Sequence, residues 1–136
     1  MSKKITIQAR IAAPIQSVWS KWTSPEHITK WNFASQDWHC PNATLDLKKG
    51  GKASLRMEAK DGSFGFDFAY TFTDVITHQL ISYVMEDGRT ATTTFTPVGK
   101  QVEVQTIFDA EGTHSIDMQR SGWQAILDNF KRYAES

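Results

Sequence analysis

The sequence predicts an α+β domain: one curved antiparallel sheet of about seven strands, in the order β-α-α-β6-α, wrapped around a long C-terminal helix. Three observations carry this. Residues 113–134 place Ile116, Trp123, Ile126, Leu127, Phe130 and Ala134 at three-and-four spacing, the mark of one helical face. Residues 44–108 alternate apolar and polar side chains between short turns bearing Gly or Pro, the mark of antiparallel strands. Helices and strands are segregated along the chain.

The chain opens with a strand over residues 3–11, where Ile5, Ile7, Ala9 and Ile11 face one way and Lys4, Thr6, Gln8 and Arg10 the other. Ala12-Ala13-Pro14 ends it. Pro14 fits the first turn of a helix, where its missing N–H is not needed, and Ile15, Val18, Trp19 and Trp22 follow at helical spacing. Ser24 as N-cap and Pro25 at the first helical position restart the pattern, with Ile28 and Trp31 as apolar contacts. Residues 32–43 show neither period, yet they hold Phe33 and Trp38. A loop of this length is either a lid over a pocket or a segment whose two aromatics plug the edge of the core.

Residues 44–48 and 52–60 are expected to form a hairpin across Gly50-Gly51, whose glycines supply the positive φ of a tight turn. Ala53, Leu55, Met57 and Ala59 share one face. In the next strand, residues 63–73, Phe64, Phe66, Phe68, Tyr70 and Phe72 all share a face. Aromatics bury roughly 150–250 Å² each, so that face needs a large partner, and the terminal helix is the obvious one. Strands at 79–85, 90–96 and 101–108 complete the meander, reversed at Asp87-Gly88 and at Pro97 to Lys100.

The terminal helix is amphipathic, with Arg120, Gln124, Asp128, Lys131 and Arg132 opposite its apolar face. Thr113 or Ser115 can cap its start, and Lys131 and Arg132 suit the negative end of its dipole. About 20 residues at 1.5 Å each span about 30 Å, enough to cross a small domain. Gly122 costs a helix interior about 1 kcal/mol relative to Ala. A side chain there is expected to collide with a neighbour, through close packing of helix on sheet or at a gap over a ligand cavity.

The 136 residues fit a single domain spanning 1–136. Formal net charge is zero with interspersed signs, so no field draws nucleic acid or an anionic membrane. The cluster Lys48, Lys49 and Lys52 reads as a solvated turn. Cys40 is the lone cysteine, which leaves no internal disulfide and no thiolate metal site. Gln8 and Arg10 interrupt the apolar run that a signal peptide needs, and no run reaches the ~20 apolar residues of a membrane span. A cytoplasmic location is expected.

The run Ala13-Pro14, Val18-Trp19, Thr23-Ser24-Pro25-Glu26 and Trp31 resembles the opening of the START-like (helix-grip, SRPBCC) superfamily, in its branch related to the activator of Hsp90 ATPase. Further matches are Leu47 with Gly50-Gly51, Asp67-Phe68, Asp87-Gly88-Arg89, Gln119, Gly122-Trp123-Gln124, Ile126-Leu127, Phe130-Lys131 and Tyr133. The resemblance implies a sheet gripping the C-terminal helix around an elongated, largely apolar cavity. Relatives bind lipids, sterols, polyketides and plant hormones, and a few are cyclases or hydrolases.

Motifs for bond-making chemistry are sparse. His27, His39, His78 and His114 lack the helical spacing of a zinc motif, so no metal and no cofactor are expected. There is no Gly-x-Ser-x-Gly elbow, and no catalytic residue is assigned. Asp67, Glu58, Tyr70, Tyr83 and His114 are the candidates for general acid or base work. The leading expectation is a binding module for a small hydrophobic or amphipathic ligand: a lipid, an aromatic metabolite or a polyketide. Trp38, Met57, Phe66, Phe68, Tyr70, Tyr83, Phe95, Gln119 and Trp123 are its expected contacts. Gln119 would offer its carboxamide and the tyrosines their phenols to a ligand's polar head. The alternatives are a stress-response or co-chaperone-like interaction protein, whose chaperone partner has no motif here, and a cyclase- or isomerase-type enzyme. An exposed strand edge permits a homodimer.

Overall fold

The computed structural model describes residues 3–136. The first alternating stretch forms β1 (Lys4–Ile11), with Ile5, Ile7 and Ile11 buried. Helices α1 (Ile15–Thr23) and α2 (Pro25–Ile28) follow, then strands β2 (Trp38–Leu45), β3 (Lys52–Ala59), β4 (Gly65–Ile76), β5 (Leu80–Met85), β6 (Thr90–Val98) and β7 (Gln101–Asp109), and finally helix α3 (Ile116–Glu135). The strands make one antiparallel sheet in the order β1-β7-β6-β5-β4-β3-β2. The meander is therefore continuous, and β1 returns to pair with the last strand. This is the predicted α+β architecture.

Register decides which side chains face inward. Ile5 lies opposite Phe108, Phe108 opposite Ala91, and Ala91 opposite Tyr83. One step along, Ile7, Thr106, Thr93 and Ile81 make a parallel row. Both rows belong to the concave face that receives α3, whose own Leu127, Phe130 and Ala134 are buried.

Ser115 caps α3, its hydroxyl accepting from the Met118 N–H at 3.1 Å. Asp117 in the first turn and Arg132 in the last match the helix dipole. Three side chains fasten the helix along β1. Gln124 donates to the Gln8 carbonyl at 3.2 Å, Lys131 donates to the Arg10 carbonyl at 2.7 Å, and Glu135 accepts from the Ala12 N–H at 2.7 Å. These bonds occupy edge groups that would otherwise be free to pair with another strand. The opposite edge, β2, carries Pro41 and a register shift between His39 and Asn42, both of which disfavour further pairing.

One end of the interior is sealed by aromatics from the two short helices. Trp22 and Trp31 pack at 5.0 Å between ring centroids, and each meets Phe130 of α3 edge-on at 4.8 Å. Trp19 and Trp22 close on Phe95 from the helix side.

Several expectations are corrected. Residues 32–43 are not one loop, because Trp38–Leu45 is β2; Pro41 hides the alternation and is tolerated because the strand is an edge. The strand expected at 44–48 therefore starts earlier and ends at Leu45. Gly50-Gly51 is not a two-residue turn but the end of a wider connection, in which Gly50 N–H donates to the Phe72 carbonyl and Phe72 N–H to that of Gly51, each at 2.8 Å. Any Cβ on Gly51 would collide with the Asp46 carbonyl. Pro14 stands one residue earlier than expected, at the N-cap of α1. Ser24 and Pro25 take the expected places in α2, although the Ser24 side chain makes no cap bond.

The aromatic strand is covered unevenly, since Phe64 precedes β4 and is 61% exposed, Phe66 is 43% exposed and Phe72 only 2%. Phe68 meets α3 edge-on through Trp123, at 6.3 Å. Gly122 faces no obstruction, so its expected collision is absent.

Candidate functional site

A cavity of about 390 Å³ lies between the concave face and α3. Strands β3, β4 and β5 supply one wall through Leu55, Met57, Phe66, Phe68, Tyr70 and Tyr83. Helix α3 supplies the roof through Trp123, Ile126 and Leu127, and Trp22, Ile28 and Trp31 form the sealed end. Trp123 is held flat on buried Phe108, with ring centroids 3.8 Å apart and planes 9° from parallel. Stacking and strand register thus fix the aromatic walls before any ligand arrives.

Met57, Phe66, Phe68, Tyr70, Tyr83, Gln119 and Trp123 line this cavity, whereas Trp38 and Phe95 do not. Trp38 packs against Phe64 and Phe66 at 6.0 and 6.2 Å, forming an aromatic cluster at the outer end of the sheet. Phe95 is buried behind Trp19 and Trp22, beyond the sealed end. Its inward parity was legible; that the two indoles stand in front of it was not.

The carboxamide of Gln119 is committed elsewhere. It accepts from the Glu111 N–H at 2.8 Å and donates to the carbonyls of Glu111 and His114 at 3.1 and 2.8 Å. The side chain is 8% exposed and braces the β7–α3 connection.

Tyr70 and Tyr83 stack in the wall, with ring centroids 3.9 Å apart and planes at 24°. Burial among apolar groups pushes both phenols well above their ordinary pKa, and no hydrogen bond contributes to either shift. Both stay protonated at any physiological pH and are available as donors. Deeper in, the hydroxyls of Thr93 and Thr106 are 2.8 Å apart across β6 and β7.

Sequence reading missed this pair, although two threonines at inward positions of apolar strands were the signal. It also missed Arg89, named only in the match Asp87-Gly88-Arg89, and Trp22 and Trp31, read as helix contacts. All of them line the cavity.

Of the other candidate acid–base groups, Glu58 and Asp67 lie outside the cavity. Arg56 pairs with Glu58 at 2.8 Å and with Asp67 at 3.5 Å on the exposed face, and His39 lies 3.5 Å from Glu58. His114 reaches the cavity wall but is paired with Glu111 at 3.1 Å. Burial pushes the Cys40 thiol up, which makes it a poor nucleophile. Among the described residues no group of three or more His, Cys, Asp or Glu gathers to hold a metal ion. No described helix is long and apolar enough to cross a membrane.

Residues 12–135 match the family model described as activator of Hsp90 ATPase homolog 1-like protein. The solution structure of the AHSA1-like protein from Aeromonas hydrophila is 47% identical, with a TM-score of 0.92 over 98% of this chain and 92% of that one. A solution structure from Cytophaga hutchinsonii is 45% identical, with a TM-score of 0.85 over 97% and 92% of the two chains. A crystal structure from Nitrosomonas europaea shares the fold at 17% identity, with a TM-score of 0.81 over 96% and 92%. No curated protein matches the chain.

Proposed function

Since the chain belongs to the activator of Hsp90 ATPase homolog 1-like family, we propose that its START-like domain works as a binding module for a small hydrophobic or amphipathic molecule. The carrying observation is the 390 Å³ cavity walled by aromatics. Protein interiors are packed about as densely as organic crystals, so a space of this size forgoes packing energy. Its volume falls in the range of small-molecule pockets, and its composition, mostly apolar with a few placed polar groups, is what such pockets require. Phe68, Tyr70, Tyr83 and Trp123 would contact the apolar body, and the two phenols would meet its polar end.

The test is a titration with a panel of lipids and aromatic metabolites, followed by tryptophan fluorescence because Trp22, Trp31 and Trp123 all border the cavity. Saturable one-to-one quenching is expected from at least one class. No saturable response across the panel would refute the reading.

A second reading, a co-chaperone-like interaction protein, draws on the exposed Phe64 and Phe66 beside Trp38. It requires an effect on a chaperone ATPase that is lost when Phe64 and Phe66 are replaced by Ser.

A further inference from the structure

The polar groups on the cavity wall are unequal in what they have left to offer. Arg89 lies on the wall, just after the β5–β6 turn. Its backbone is fixed: the N–H donates to Asp87 Oδ1 at 3.1 Å and the carbonyl accepts from Met85 N–H at 2.7 Å. Its Nε donates to Asp87 Oδ2 at 2.7 Å. Asp87 is 54% exposed, so water screens its charge, and among the described residues the two terminal guanidinium nitrogens enter no hydrogen bond. The phenols of Tyr70 and Tyr83 are likewise uncommitted donors. The Thr93–Thr106 bond uses one of two hydroxyl protons and leaves the other.

The acceptors, by contrast, are fewer, with the Asn32 carboxamide and Glu111 Oε2 left without a hydrogen bond among the described residues. Glu111 Oε1 already receives the N–H of Thr113 and of His114 and faces His114 Nδ1, and the Gln119 carboxamide is fully engaged. A wall rich in free donors and containing a fixed guanidinium complements a ligand end that is rich in acceptors and negatively charged.

We propose that the cavity selects an amphipathic monoanion, a carboxylate on an apolar body, whose charged end is held by the terminal guanidinium nitrogens of Arg89 with the Tyr83 phenol beside it. This rests on the binding reading above and specifies its ligand class. A carboxylate buried without a partner is strongly disfavoured, and the planar fork of arginine is the group that best offsets that cost. Arg89 and Tyr83 line the same cavity, and burial and Tyr70 raise the Tyr83 phenol against a weaker opposing effect of the Arg89 charge, which fits their sharing one anion.

The experiment compares matched pairs of probes, decanoate with decanamide and 2-naphthoate with 2-naphthamide, by calorimetry on wild-type protein and on Arg89→Gln and Arg89→Lys. In wild type the carboxylate is expected to bind roughly tenfold or more tightly than its amide. That ratio is expected to fall to near one in Arg89→Gln and to recover in part in Arg89→Lys, with thermal melts showing both variants folded. Equal affinity for amide and carboxylate in wild type would overturn the carboxylate assignment while leaving the binding reading intact. A preference that persists in folded Arg89→Gln would overturn the role of Arg89. Failure of all four probes to bind would overturn both the assignment and the reading it rests on.

Discussion

Tyr70 and Tyr83 lie on adjacent strands, in register two residues apart, and their rings stack 3.9 Å centroid to centroid in the cavity wall. The stack fixes where two hydroxyls stand. Removing the hydroxyls while keeping the rings therefore separates recognition from packing. Tyr83→Phe and Tyr70→Phe are expected to change stability by less than about 1 kcal/mol, since neither hydroxyl enters a hydrogen bond among the described residues, while weakening any ligand with a polar head by about 0.5–1.5 kcal/mol. Denaturant melts and parallel titrations read the two effects. A large loss of stability without a change in binding would show that the phenols are structural.

Two glycines should respond in opposite senses to the same substitution. Gly122→Ala meets nothing in its path and is expected to stabilise α3 by about 0.5–1 kcal/mol. Gly51→Ala drives a methyl group into the Asp46 carbonyl and is expected to cost more than about 2 kcal/mol, because the hydrogen-bonded connection to Phe72 must move. Denaturant midpoints at constant slope decide both.

Trp123 carries the roof of the cavity through its stack on Phe108. Trp123→Ala is expected to destabilise by about 3 kcal/mol. Trp123→Phe should retain most of that stability and lose a share of the ligand-dependent fluorescence change. Full signal from Trp123→Phe would locate the quenching at Trp22 or Trp31 instead.

Acid sensitivity should trace in part to Asp109. Its carboxylate is held below the ordinary 3.8 chiefly by Lys4, helped by the backbone and side chain of Thr90. A carboxylate with a lowered folded-state pKa contributes stability above its unfolded value and loses it as pH falls through the folded one. Asp109→Asn is therefore expected to cost about 1–2 kcal/mol at neutral pH, and the gap to wild type should narrow below pH 3.8. Melts across that window measure it, and a gap independent of pH would assign the loss to packing.

Much of the fold was legible because buried faces impose a period. Ile5, Ile7 and Ile11 mark β1, and Leu127, Phe130 and Ala134 mark the inner face of α3. Strand β2 was hidden because an edge tolerates Pro41, and Pro41 reads locally as a loop. The five aromatics before and within β4 share a parity, but parity does not say where the helix stops covering them, so the exposure of Phe64 and Phe66 was out of reach.

The site was half legible for the same reason. Inward parity found Phe68, Tyr70, Tyr83 and Trp123, whereas the folding back of Gln119 onto Glu111 and the screening of Phe95 by two indoles are long-range contacts that no local pattern encodes.

The most direct test of the binding account is native mass spectrometry of the protein purified from its own host, compared with the same sample after denaturation. The account predicts a complex heavier than the chain by one small molecule, released on unfolding and negatively charged. A bare mass for freshly prepared protein, together with no saturable binding of either carboxylate or amide probes, would contradict it.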